Sequence, residues 1–347
     1  MTADAGHHAP NPETSDGADN GGARQLTTLR GWRDFVADRP VVPQLLSEGT
    51  WPALSDEERF RYDETRLAHH AKLLVVATPT IQQVITEGRR LQYLNRHAEV
   101  GRCGLILSGP ARTGKTTCLT QLGKTIETMH TRRHPHAAGH IPVVYITAPP
   151  AATPRMIAVE FARFLGLPLT RRANITDVLE AVCGVCLDAA TTLICVDEIH
   201  NVNLGTRHGA EASDTLKYFA ERLPATFVYA GINIERVGLL NGTRGEQIAG
   251  RFSMIRTGAF GRGQQWQALI AALESSLRLH HHRAGSLVEL SDYLHNRSNG
   301  MIGSLLRLVR AAAIQAVLDG SEAITKASLK SIPVDIASAG EHLPAHR

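Results

Sequence analysis

Between residues 104 and 230, short apolar runs alternate with longer amphipathic ones. The runs "GLILS" at 104–108, "VVYIT" at 143–147, "TLICV" at 192–196 and "TFVYA" at 226–230 have the unbroken apolar character of strands covered on both faces. Helical spacing fills the gaps, over 115–130, 153–165, 176–189 and about 211–222. The second of these opens on Thr153-Pro154, a capping residue followed by proline at the first helical position, and closes at Gly166. Strands alternating with helices of this length predict an α/β fold with a parallel sheet. From Gln264 onward strand signals fade, and helices near 264–279, 286–296 and 303–318 predict a small all-helical unit beyond a boundary at "GAFGRGQ", 258–264.

The flanks differ from this core. Residues 1–25 are rich in Gly, Ala, Asp, Asn and Pro, too poor in large apolar groups to offset the entropy of ordering, and are expected to be disordered. From Leu26 to about Val100 the pattern is helical. Its clearest piece starts at Thr78-Pro79 and continues through Ile81, Val84, Ile85, Leu91 and Leu94, with Gly88 weakening its interior and Gly101 marking its exit. The expected organisation is a tail at 1–25, a helical N-terminal segment at 26–100, an α/β core at 101–262, a helical lid at 263–335 and a tail at 336–347, with no internal repeat.

Composition narrows the classes. With 43% hydrophobic and 20% charged residues, the 347-residue chain is neither fibrous nor wholly disordered. Its N-terminus lacks the basic start and apolar centre of a signal peptide, its apolar stretches are short, and five cysteines fit free thiols in a reducing compartment, so a cytoplasmic protein without membrane contact is expected. Cys183 and Cys186 form a CxxC, but they share a helical face with Val178, Leu179, Val182 and Leu187, which predicts buried structural thiols. His280, His281 and His282 are expected on the surface. The net charge of +4 is unevenly spread: residues 124–172 carry seven Lys/Arg against two acids, and residues 251–310 eight Arg against three, which suits a polyanionic partner.

"GPARTGKT", 109–116, matches G-x-x-x-x-G-K-[ST] and sits between a predicted strand and a predicted helix, where the chemistry needs it. Gly109, Pro110, Ala111, Arg112, Thr113, Gly114, Lys115, Thr116 and Thr117 form the expected cofactor-binding loop. Its backbone N–H groups would wrap a β-phosphate, Lys115 would neutralise the β/γ oxygens, and Thr116 would hold Mg²⁺. "LICVDEIHN", 193–201, then puts Asp197 at a strand tip, placed to hold Mg²⁺, and Glu198 beside it, placed to deprotonate an attacking water. Because Glu198 is present, a switch that binds nucleotide without hydrolysing it is disfavoured. His200 completes D-E-I-H, a spelling shared with DExH helicases. Those need a second motor domain, and only about 150 residues, half of them helical, follow Asp197.

The layout of helical residues, compact α/β core and helical lid resembles the AAA+ class of P-loop NTPases. Within it the chain resembles the TniB/TnsC family of transposition ATPases. That resemblance spans roughly residues 70–330 and rests on "LILSGPARTGKTT", "PVVYITAPPAATPRMIAVEFARFLGLP", "LICVDEIHN", "FVYAGI", "QIAGRF" and "GMIGSLLRLVRAAAIQA". It implies an ATPase that uses ATP and Mg²⁺, forms homo-oligomers along DNA and links target choice to a partner transposase. By the same resemblance Arg251 of "QIAGRF" is the arginine offered to a neighbouring subunit's ATP, and Asn233 of "YAGINIE" is the polar sensor, two positions later than the family pattern. Where many AAA+ lids carry an arginine three residues after a glycine, Gly300 is followed by Gly303; Arg307, a turn further on, is the available substitute. Arg155, Arg171 and Arg172 are the expected phosphate contacts to DNA. The alternative function is a signalling or scaffolding AAA+ ATPase that acts through protein contacts without nucleic acid.

Overall fold

The computed structural model describes residues 25–333 apart from 73–74, 170–173, 203–205, 237–245 and 247–248. The expected tails at 1–25, apart from Gln25, and 336–347, and the candidate DNA contacts Arg171 and Arg172, lie outside the described residues.

Among the described residues, five parallel strands form one sheet: β1 (Gly104–Gly109), β2 (Val143–Thr147), β3 (Leu193–Asp197), β4 (Thr226–Ile232) and β5 (Phe252–Arg256), in the order β2-β3-β4-β1-β5. The four strands read from the sequence are buried almost throughout, because helices cover both faces. The fifth was not expected. "FSMIR" alternates half-exposed and exposed positions and buries only Ile255, the mark of an edge strand, so its apolar signal is diluted. Register pairs Gly104 with Phe252 and Gly109 with Ile232, so all strand C-termini share one edge. Chain order reverses at β1, which lies between β4 and β5, and an open α/β sheet takes its ligand beyond the C-terminal ends at such a switch.

The helices are α1 (Leu29–Ala37), α2 (Asp56–Ala71), α3 (Pro79–Asn95), α4 (Lys115–Arg133), α5 (Pro154–Phe164), α6 (Ile175–Asp188) and α7 (Arg207–Arg222). In the lid follow α8 (Gln264–Ser275), α9 (Ser286–Glu289), α10 (Ser291–Ser298), α11 (Ile302–Leu318) and α12 (Lys326–Ser331). Thr78 and Thr153 cap α3 and α5, accepting from the backbone N–H of Ile81 and Met156 at 3.3 Å each. Gly88 has a packing reason: a Cβ there would lie 2.6 Å from the Leu122 side chain of α4.

Two apolar cores result, one around the sheet and one in the lid. The helices of residues 26–100 divide between them. Trp32 of α1 is fully buried in the sheet core, stacked on Tyr145 with centroids 5.6 Å apart. Leu67 of α2 packs instead in the lid core, where the buried Arg66 meets the buried Glu322 through two charge-assisted bonds of 2.6 and 2.8 Å. His280 and His282 belong to this joint, which corrects their expected surface placement, whereas His281 is exposed as expected. Trp51 stacks on His280 with centroids 4.1 Å apart. His282 is buried against Glu274 at 3.0 Å, and its Nδ1 accepts from the backbone of Ile324. Cys183 and Cys186 are buried thiols on α6, and burial pushes Cys186 up to about 12, which leaves it without thiolate reactivity at neutral pH. Among the described residues no single helix is long and apolar enough to cross a membrane.

Candidate nucleotide site

The loop after β1 is built to hold an anion. Gly114 starts α4 in the left-handed conformation, φ +86°, and the following N–H groups have no acceptor within the helix. They face outward at the positive end of a 19-residue helix, a ready anion site. Neighbouring strands brace the loop. Thr113 Oγ1 lies 2.6 Å from Thr257 Oγ1 and donates to Pro110 O, while the backbone N–H of Thr257 donates to Ser108 O. The Lys115 ammonium is buried within the loop, donating to the carbonyls of Gly109 at 2.9 Å and Pro110 at 2.6 Å. Burial depresses its pKa, while the negative charges of Glu198 and Asp197 act the other way, so both carboxylates lie within its field. Pro110, Ala111, Arg112 and Thr116 are exposed along the rim and Thr117 is half-buried.

Asp197, at the tip of β3, is buried and receives three donors. Thr116 Oγ1 donates to Oδ2 at 2.7 Å, the Tyr145 hydroxyl donates to the same oxygen at 2.9 Å, and the Glu198 backbone N–H donates to Oδ1 at 2.9 Å. Tyr145 was not read from the sequence as a site residue; a polar tip within the apolar strand "VVYIT" was its only trace. Its burial, with the Asp197 charge beside it, keeps the phenol well above its ordinary pKa and therefore a donor. A carboxylate and a hydroxyl meeting at one spot form the oxygen-only donor set that suits Mg²⁺.

Glu198 adopts φ +53°, a left-handed conformation that a non-glycine residue holds only when its surroundings enforce it. Its carboxylate lies 3.3 Å from His200 Nε2. The other ring nitrogen, Nδ1, accepts from the backbone N–H of Ile232 at 3.2 Å, which leaves Nε2 as the nitrogen beside Glu198 that can carry a proton. His200 thus ties the Glu198 carboxylate to the end of β4. Asn233 follows that end at φ +42°, and its backbone N–H donates to Gly109 O at 3.2 Å. It therefore stands beside the phosphate loop.

Residues outside the core complete the walls. A cavity of about 500 Å³ reaches from Thr116 and Thr117 to Lys124, His70 and Arg310. A second, of about 140 Å³, is lined by Thr113, Gly114, Val76, Ile302 and Arg307, so Arg307 shares a cavity with the loop. Gly303 has a positive role. Its backbone N–H donates to Arg112 O at 3.0 Å, and a Cβ there would lie 3.1 Å from that oxygen. The lid helix meets the phosphate loop at the position where a longer side chain was expected.

Arg251 stands apart. It is exposed just before β5, and its carbonyl accepts from Gly104 at the start of β1. The register puts it a strand's length from Gly109, roughly 20 Å at the usual rise per residue, beyond the reach of one arginine side chain. Arg155, at the start of α5, is exposed.

No curated protein sequence matches the chain. Among solved structures, the chain is similar to the ORC1 protein of Aeropyrum pernix in complex with DNA, with a TM-score of 0.60 and 15% identity over 77% of this chain and 68% of that one. It is similar also to the Aeropyrum pernix ORC2 protein in its ADPNP and ADP complexes, TM-score 0.58 and 14% identity, over 76% and 70%. Cdc6p from Pyrobaculum aerophilum gives 0.52 and 16%, over 74% and 67%. At these identities the likeness shows the shared AAA+ P-loop fold. A family model described as bacterial TniB protein matches residues 66–261, more than half of the chain, from α2 through all five strands to the edge of the lid. The phosphate loop, the DEIH strand tip and the arginine ahead of β5 all fall inside that span, and the chain belongs to the TniB family.

Proposed function

We propose that this protein hydrolyses ATP at a cleft completed by a second copy of itself, and that it does so on DNA to regulate transposition. The observation that carries the first part is the separation of the parts. Lys115, Thr116, Asp197 and Glu198 gather at the C-terminal edge of the sheet, whereas Arg251 is exposed at the opposite edge, too far to serve its own phosphates. A head-to-tail neighbour would present Arg251 to the next subunit's γ-phosphate.

In the reaction, Glu198 accepts a proton from a water whose oxygen bonds to the γ-phosphorus, and the bond to the β–γ bridging oxygen breaks with its electron pair leaving on ADP. His200 Nε2–H fixes the Glu198 carboxylate, Lys115 offsets charge on the β/γ oxygens, and Asn233 lies where the γ-phosphate would be sensed. Thr116 and Asp197 would hold Mg²⁺, which would supply positive charge to offset that on the phosphates. Arg251 from the neighbour would stabilise the transition state, a role typically worth ~10³ to 10⁵ in rate.

Support for DNA comes from TniB membership, from the exposed Arg155 with Arg171 and Arg172 nearby in sequence, and from the similarity to an ORC1 protein solved with DNA. A transposase is the expected protein partner. Turnover of labelled ATP, with and without duplex DNA, tests the reading. Glu198→Gln protein should bind magnesium–ATP and lose turnover by about 10² or more; wild-type turnover by that variant would refute the assignment.

A further inference from the structure

A second basic cavity, of about 440 Å³, opens at the other end of the sheet, away from the phosphate loop. Two helix faces form its walls. Arg89, Gln92 and Tyr93 of α3, with its C-cap Arg96, follow the i, i+3, i+4, i+7 spacing of one stripe, and Ile126, Met129, His130 and Arg133 of α4 repeat it opposite. Thr191, Thr192 and Thr226 lie at the base, where the sheet begins, with His134 and His140 at the mouth. No aspartate or glutamate lines it.

No carboxylate compensates the charge there. Arg89, Arg96 and Arg133 make no ion pair among the described residues; Arg133 donates to the Tyr93 hydroxyl at 3.0 Å and Arg96 lies over the Tyr93 ring. The C-termini of α3 and α4 border the groove, and those of α6 and α7 end at its base beside Ala190 and Pro224; at about half a negative charge each, the four dipoles supply roughly two against three guanidiniums. The surroundings register the excess. The Tyr93 hydroxyl is held below its usual pKa, first by the hydrogen bond from Arg133 and that residue's charge, then by Arg89 and Arg96. His130 is held below its own range by burial, then by His134, His140 and Arg133. His130, His134 and His140 cluster with ring centroids 4.7 to 6.0 Å apart, and His130 Nε2 lies 2.9 Å from His140 Nδ1. Such a collection of like charges costs stability unless an anion occupies it.

We infer that this groove is a second anion site that binds phosphate groups through the Arg89, Arg96 and Arg133 guanidiniums, with the Tyr93 ring as a face for stacking. Its volume suits a ligand the size of a nucleotide or a short stretch of backbone, and planar guanidiniums match phosphate oxygens in pairs. The phosphates belong either to a free nucleotide or pyrophosphate, or to a nucleic-acid strand crossing this face.

The test uses full-length Lys115→Ala protein, so that the phosphate loop does not compete. Inorganic pyrophosphate is titrated calorimetrically, and a labelled oligonucleotide duplex by anisotropy across a salt series. The comparison protein adds Arg89→Gln, Arg96→Gln and Arg133→Gln, all exposed positions, and the same triple variant with Lys115 intact should keep basal ATP turnover. Pyrophosphate affinity that falls at least about tenfold in the triple variant supports the site with free phosphate as its source. If only the duplex responds, its salt slope should shrink by up to about 2.7, three contacts at 0.9 each, which supports the site with strand phosphates as the source. Unchanged affinity for both probes overturns the inference, as does a poly-glutamate peptide that binds this groove while neither phosphate probe does.

Discussion

Removing the charge of Glu322 should loosen the lid from the N-terminal helices, and the structure sets the size of the effect. Arg66 is fully buried on α2; Glu322 grips it with both oxygens and also accepts from the backbone N–H of His280 at 3.0 Å. Burial opposes the guanidinium charge, and the bonds from Glu322 and Asp63 more than restore it. Breaking a buried pair by deleting one partner typically costs 3–5 kcal/mol, because the survivor stays buried and unpaired. Asp63, about a quarter exposed, remains to Arg66 in Glu322→Gln protein, so the expected cost is at the lower end, about 3 kcal/mol. With a urea dependence of ~2–3 kcal/mol/M, the unfolding midpoint should move by at least about 1 M. The Arg66→Met/Glu322→Leu pair should recover most of that loss, since replacing both ions removes the desolvation penalty with the attraction. A single variant that loses less than about 1 kcal/mol, or a double variant as unstable as the sum of its singles, would refute the reasoning.

The same joint should be acid-labile. Burial pushes His70 down to about 4 from 6.5, so the unfolded chain binds the extra proton first, and this stability is complete above pH 6.5 and lost as pH falls toward 4. The loss should approach ~3 kcal/mol and flatten in His70→Gln protein, as read by melting temperature across that range. At the lid contact, Gly303→Val should push α11 from Arg112 and weaken binding of a fluorescent ATP analogue roughly tenfold, the effect of ~1–3 kcal/mol of overpacking; an unchanged Kd would mean that the lid does not close the pocket through this contact.

What the sequence disclosed follows from the range of the interactions involved. β1 to β4 and the phosphate loop are written in contiguous residues, as unbroken apolar runs and a fixed spacing around Gly109 and Lys115. β5 was hidden because "FSMIR" shows solvent half of its positions. The splitting of the N-terminal helices between two cores depends on Arg66 finding Glu322, 256 positions away, which no local pattern encodes. His200 was read as part of a spelling, and only the sheet register reveals that it bridges Glu198 to Ile232. Gly303 looked like a missing arginine; it is the place where two backbones meet.

Mixing two inactive proteins tests the shared cleft most directly. Lys115→Ala protein keeps Arg251 but lacks its own phosphate grip, and Arg251→Ala protein keeps the grip but has no arginine to lend. Each alone should be inactive, and an equimolar mixture should regain ATP turnover at about one quarter of its interfaces, the fraction in which an intact loop faces an intact arginine by random head-to-tail assembly. A mixture no more active than the sum of its parts, under conditions where wild-type protein turns over, would contradict the claim that two protomers build each site.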